Sequence, residues 1–131
     1  MNALRKLYKE LTSLHWEIGF LDNTFEGIVR GDKLKLTLVT HNFPNSWFAD
    51  PFILDVTDDT IIVLVEEVTK KISKGRISKL VIDRRNNYVI EKKVILERPG
   101  HLSFPIIYRK DDKIYVYPEN SEDGVLNIYE L

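Results

Sequence analysis

The chain predicts a mainly β fold, a partial β-propeller preceded by one N-terminal α-helix. Three observations predict it. Helical apolar spacing is confined to the first fifteen residues, short β-patterned runs fill the remainder, and one of those runs returns 54 residues later (105 − 51 for its proline). The expected organisation is a helix over residues 1–15 and a propeller domain over 16–131, with blade repeats near 47–82 and 101–131.

Leu4, Leu7, Tyr8, Leu11 and Leu14 recur at helical spacing, with Arg5, Lys6, Lys9 and Glu10 between them. That is an amphipathic helix of about three turns. Its polar face mixes glutamate with lysine, which suits packing on the protein body better than an anionic lipid surface.

Beyond Trp16 the period changes to two. Leu34, Leu36 and Leu38 alternate with Lys35 and Thr37, a half-buried strand. Further strand-like runs lie at 51–56, 60–66, 76–82, 88–96, 104–109, 113–118 and 125–130. Between them stand the turn pairs Asp58-Asp59, Lys74-Gly75, Asn86-Asn87, Pro99-Gly100, Asp111-Asp112 and Asp123-Gly124. Consecutive hairpins are the expected topology.

The repeat sets WFADPFILDVTDDTIIVLVEE above HLSFPIIYRKDDKIYVYPENS. Pro51 falls on Pro105, Asp58-Asp59 on Asp111-Asp112 and Glu66 on Glu119, with one residue fewer between proline and aspartates in the second copy. Downstream, KGRISKLVI at 74–82 matches DGVLNIYEL at 123–131. Repeats of about 40–50 residues built from four short strands indicate propeller blades. A blade cannot bury both faces alone, so it stacks on its neighbours. The chain carries about two and a half blades' worth of strands, whereas closed propellers have about four to eight blades. Open blade faces would favour a homo-oligomer.

Nineteen basic residues against twenty acidic ones leave a net charge of −1, which excludes a general electrostatic attraction to nucleic acid. The absence of cysteine excludes disulfides and thiolate chemistry. No apolar run reaches the ~18 residues of a membrane span, and the start lacks the apolar core of a secretion signal; the default location is cytoplasmic. His15, His41 and His101 lack metal-site spacing, and GFLDNTFEG is not a phosphate- or dinucleotide-binding loop. Neither a metal nor a cofactor is expected.

WEIGFL at 16–21, WFADPFI at 47–53, EE…KGRIS at 66–78, HLSFPIIY at 101–108 and YPENS at 117–121 carry a family likeness. Together they resemble the propeller domain of glucosamine inositolphosphorylceramide transferases, which is also found in bacterial polysaccharide-biosynthesis proteins. That domain is similar in turn to five-bladed propeller glycosidases of the arabinanase, β-xylosidase and invertase kind. The resemblance covers about residues 16–131 and corresponds to the N-terminal half of the domain. It implies that acids at the inner blade ends project into an axial funnel. Asp50 matches a general base or nucleophile before a proline, Glu119 matches another funnel acid, and Glu66 is the counterpart of Glu119 one blade earlier.

Glycoside hydrolysis needs two carboxyl groups across the scissile bond, about 5–5.5 Å apart for retention or 6.5–9.5 Å for inversion. One must hold a proton while the other is ionised. Asp50, Glu66 and Glu119 occupy comparable points of successive hairpins and are the candidate catalytic acids. An Asp before Pro also caps turns, and a glutamate at a strand end also serves as a solvated rim. Trp47 and Tyr117 are candidate stacking surfaces for a sugar, although aromatics at blade interfaces more often serve as core. His101 and Ser103 are candidate hydrogen-bonding partners of the ligand.

The expected partner is a carbohydrate or glycolipid. The favoured function is a glycosidase-like binding or accessory module in polysaccharide or glycolipid biosynthesis, not catalytic alone. A second reading is a glycoside hydrolase or glycosyltransferase-associated domain completed by a further half or a second chain. A third is a structural assembly module.

Overall fold

Local chemistry sets the strand boundaries of the computed structural model, which describes residues 16–131. The expected N-terminal helix lies outside the described residues. Strand β1 (Gly19–Leu21) pairs antiparallel with β2 (Leu36–Leu38), and helix α1 (Phe25–Arg30) sits in the connection. The Thr24 hydroxyl accepts the Gly27 N–H at 3.1 Å, and Gly31 closes the helix at φ 82°. These are a hydroxyl N-cap and a left-handed glycine stop.

Strands β3 (Ser46–Val56), β4 (Thr60–Thr69), β5 (Arg76–Asp83) and β6 (Tyr88–Leu96) form a four-stranded antiparallel sheet in chain order. Strands β7 (Ser103–Lys110), β8 (Lys113–Glu119) and β9 (Tyr129–Glu130) form a three-stranded antiparallel sheet, also in chain order. Asp111 and Asp112 both have positive φ, 49° and 60°, between the paired residues Lys110 and Lys113. Such a two-residue hairpin loop matches the twist of its flanking strands, and aspartate tolerates the left-handed region better than most residues.

Strand β4 reads TIIVLVEEVT because both of its faces are covered. Val63 and Val65 pack with Ile18, Val39, Phe48, Leu80, Ile82 and Val89 on one face. Leu64 packs on the other with Ile77, Leu102 and Val116. The second cluster joins the two larger sheets, with β7 against β3, β4 and β5. A strand buried on both sides loses the alternation of a half-exposed one.

The sequence repeat is present in the strand register. In the first copy Ala49 pairs with Glu66 and Phe52 with Leu64; in the second, Ser103 pairs with Glu119 and Ile106 with Tyr117. Both copies interrupt the ladder at the same place, with Asp50-Pro51 or Phe104-Pro105 bulged out. Asp50 has φ 50° and Phe104 φ 45°. Proline has no N–H to give the ladder, so a bulge accommodates it. The extra residue of the first copy is absorbed by a second irregularity between Ile53 and Asp55. Val63 pairs with Leu80, and its counterpart Val116 pairs with Tyr129, which reproduces the 74–82 against 123–131 alignment.

Three details differ from expectation. The second sheet has three strands among the described residues, not four, and the run expected at 125–130 is paired only at Tyr129–Glu130. The first strand of the repeat begins at Ser46, upstream of its proline, because the bulge lets pairing continue through Pro51. Leu34, Leu36 and Leu38 are all exposed and not half-buried. Their ribbon is only three residue pairs long, and its register partner is β1 alone. No helix among the described residues is long and apolar enough to cross a membrane.

Candidate functional site

Alternation along β4 sends its two consecutive glutamates to opposite faces. Glu66 turns towards the second sheet, and Glu67 towards the core formed with β5, β6 and the segment before β3. Their surroundings give them opposite chemistry.

Glu67 is fully buried. Its carboxylate accepts from Ser46 Oγ at 2.8 Å, Ser78 Oγ at 2.6 Å and Arg76 Nε at 3.2 Å, and it is ion-paired with Lys92 Nζ. Burial alone would raise its pKa, but hydrogen bonds from Lys92, Ser78, Arg76 and Ser46 outweigh it and hold the group at about 2. A buried carboxylate with this many donors is a structural anion. Arg76 also reaches Glu97 at 3.2 Å. Lys92 lies 4.8 Å from the Phe43 ring centroid and 5.9 Å from that of Phe48.

Glu66 is also buried, but its neighbours are acids. The bulge at Asp50-Pro51 breaks the ladder next to the Ala49–Glu66 pair, and the Asp50 side chain hydrogen-bonds Glu66. Burial, then the Asp50 hydrogen bond, then the charges of Asp50 and Glu119 push the Glu66 pKa up to about 7. The rise belongs to Glu66 because burial and nearby acids both disfavour its ionised form.

The remaining members arrive from the second sheet. His101 Nε2 lies 3.2 Å from Glu66 Oε1, and its Nδ1 accepts the Gly75 N–H at 2.9 Å. The Leu102 N–H donates to the Gly75 carbonyl at 2.9 Å. Gly75 must be glycine for this approach, because a Cβ there would stand 2.5 Å from Glu66 Oε1 and closer still to the Leu102 carbonyl oxygen. Ser103, itself buried, donates to Glu119 Oε2 at 3.3 Å from the opposite strand.

Five of the residues singled out in the sequence therefore meet at the junction of the two larger sheets: Asp50, Glu66, His101, Ser103 and Glu119. Trp47 and Tyr117 are placed by register. Trp47 pairs with Val68 and shares the sheet face of Glu66; Tyr117 pairs with Ile106, two residues before Glu119 on its strand. Sequence reasoning missed Gly75 as a site member, seeing only a turn signal, and missed the Glu67 network. The Glu66-Glu67 doublet inside a strand was the available signal for that network, since alternation must separate the pair. Among the described residues, no group of acids and histidines is arranged to hold a metal ion.

The junction can donate and accept hydrogen bonds at one point. Three carboxyl groups, one of them with a raised pKa, a serine hydroxyl and an imidazole lie within a single side-chain cluster. Such a set suits a polyhydroxylated ligand or proton transfer between carboxyl groups.

Comparison with known proteins fits this region to one family. Residues 35–131 match the family described as Glucosamine inositolphosphorylceramide transferase 1, N-terminal. The chain is 30% identical over 86 residues to Glucosamine inositolphosphorylceramide transferase 1 of Arabidopsis thaliana, covering 66% of this chain and 11% of the relative. It is 27% identical over 88 residues to the proteins of the same name from Oryza sativa subsp. indica and japonica, covering 66% of this chain and 12% of each. The chain thus spans about a tenth of the length of these curated relatives. No solved structure matches it. The matched span contains both of the larger sheets and every member of the acidic junction, and the chain belongs to the glucosamine inositolphosphorylceramide transferase 1 N-terminal family.

Proposed function

We propose that this chain is a carbohydrate-binding module of glycolipid or polysaccharide biosynthesis, with the Asp50–Glu66 carboxyl pair at the centre of its site. The observation that carries this reading is the gathering of Asp50, Glu66, His101, Ser103 and Glu119 at one junction between repeated sheets. Glu66 is buried beside a half-buried Asp50 and an exposed Glu119, and a buried acid next to other acids at an open junction marks a functional-site candidate. A sugar ring offers adjacent hydroxyls that both donate and accept, which matches a cluster of carboxyl oxygens and a serine hydroxyl. Trp47 shares the face of Glu66 and supplies a stacking surface. The name of the relatives joins an amino sugar to an inositol-bearing lipid, which sets the class of ligand to try first. The two repeated sheets pack as successive blades of a propeller whose remaining blades, or a second copy, would complete the ring.

Saturation-transfer NMR with glucosamine, N-acetylglucosamine and myo-inositol tests the proposal. Transfer to a sugar that disappears in Asp50→Asn and weakens in Trp47→Ala, with the fold retained, is the expected result. Transfer that is absent from all three probes, or unchanged in both variants, defeats it.

A second reading is favoured by the burial of Glu66 among other acids, which pushes its pKa up to about 7. A carboxyl that titrates near neutrality is the chemistry of a general acid. On this reading Glu66 protonates a leaving oxygen while an ionised acid faces it, within a larger assembly that supplies the rest of the glycosyl-transfer site.

A further inference from the structure

We infer that His101 is a positioning residue and not a ligand contact: its ring is fixed as the Nε2–H tautomer and serves as a built-in donor to Glu66 Oε1. The argument starts at Gly75. Its backbone N–H can only donate, and it lies 2.9 Å from His101 Nδ1, so that nitrogen must present a lone pair. A neutral imidazole with a bare Nδ1 carries its hydrogen on Nε2. Nε2 faces Glu66 Oε1 at 3.2 Å, the one acceptor that this tautomer needs.

Both ring nitrogens are therefore engaged inside the protein, which removes the ring from the set of groups available to a sugar. The latch is built from the backbone as well. Leu102 donates to the Gly75 carbonyl at 2.9 Å, and Gly75 has no Cβ where one would strike Glu66 and Leu102. The loop after β4 and the segment before β7 are thus held together at the ring. An oxygen that accepts a permanent N–H bond is a poor place for a carboxyl proton, so a proton on Glu66 is steered to its other oxygen. The titratable groups facing Glu66 are Asp50 from β3, Glu119 from β8 and His101 from the segment before β7.

This inference rests on reading the Asp50–Glu66 pair as the working site, but its test needs no sugar, so failure of ligand binding and failure of the tautomer assignment are separate results. Long-range nitrogen–proton NMR on the unliganded chain reads the tautomer directly. At neutral pH the expected spectrum has a bare Nδ1 and a protonated Nε2 for His101. The reverse pattern, an averaged pair or a doubly protonated ring overturns the proposal. Side-chain carboxyl carbon NMR then follows the Glu66 midpoint in variants. His101→Asn can keep the Gly75 contact but loses the donor to Glu66, and should raise the midpoint by about one pH unit. His101→Gln can present an amide N–H in the place of Nε2–H and should restore the wild-type midpoint. Equal midpoints in wild type and His101→Asn, or no rescue by His101→Gln, would refute the assignment.

Discussion

Glu66 and Glu67 are adjacent on β4, yet one carboxyl is held at about 7 and the other at about 2. Both are buried, so burial alone cannot separate them. The difference lies in what each meets. Glu67 is surrounded by cations and hydroxyls from β3, β5 and β6, whereas Glu66 meets Asp50, with Glu119 nearby. The strand's two-residue period assigns one acid to the architecture and leaves the other under electrostatic stress at the junction.

The first prediction concerns Glu67. Its folded pKa lies below the usual 4.5, so its contribution is fully present above that value and is lost as pH falls towards 2. Glu67→Gln removes the anion between Arg76 and Lys92 and should cost about 3 kcal/mol at neutral pH. Urea unfolding measures the loss. The variant should also lose part of the acid-side slope that the wild type shows below 4.5.

Glu66 should behave in the opposite sense. Its folded pKa lies above the usual 4.5, so its contribution is fully present below 4.5 and declines as pH rises through about 7. Wild-type stability should therefore fall across that interval, and Glu66→Gln should flatten the fall. Urea midpoints taken at several pH values across the window decide this. A Glu66→Gln curve parallel to wild type would show that the acid is not stressed.

Asp50 permits a test that separates conformation from charge. Its φ of 50° is tolerated by aspartate and better still by glycine. Asp50→Gly should keep the bulge and leave the thermal midpoint near wild type while removing one acid from the pair. The Glu66 titration should then move down towards 4.5 without reaching it, because burial, its first cause of elevation, remains. A Glu66 midpoint unchanged in the variant would separate the two residues.

Much of this organisation is legible in the sequence because its causes are local. The bulge needs a proline at a fixed distance from a turn, and both Pro51 and Pro105 announce it. The aspartate pair at 111–112 marks its hairpin by backbone preference. Since the two copies share a register, acids at equivalent ends of β4 and β8 are expected to approach one another. Contacts between chain-distant segments leave no comparable mark. Gly75 reads as an ordinary turn glycine until Leu102 and Glu66 are seen against it, and nothing in the sequence around Lys92 points to its ion pair with Glu67. The three exposed leucines at 34, 36 and 38 show the converse: alternation reports a strand, but only packing decides whether a face is buried.

Gly75 supplies the last prediction. A methyl group there would press on the Leu102 carbonyl oxygen and on Glu66 Oε1, which His101 holds at 3.2 Å. Gly75→Ala should cost about 1–3 kcal/mol, the range for forcing an extra methyl into a packed interior. The damage should be local before it is global. The Leu102 amide, which donates to Gly75, should lose hydrogen-exchange protection by a larger factor than the amides of Val63 or Leu80 in the other core. If protection falls equally in both places, the loop is an ordinary part of the fold. If it falls at Leu102 first, the glycine is the point at which the two sheets, and with them Glu66 and His101, are fastened together.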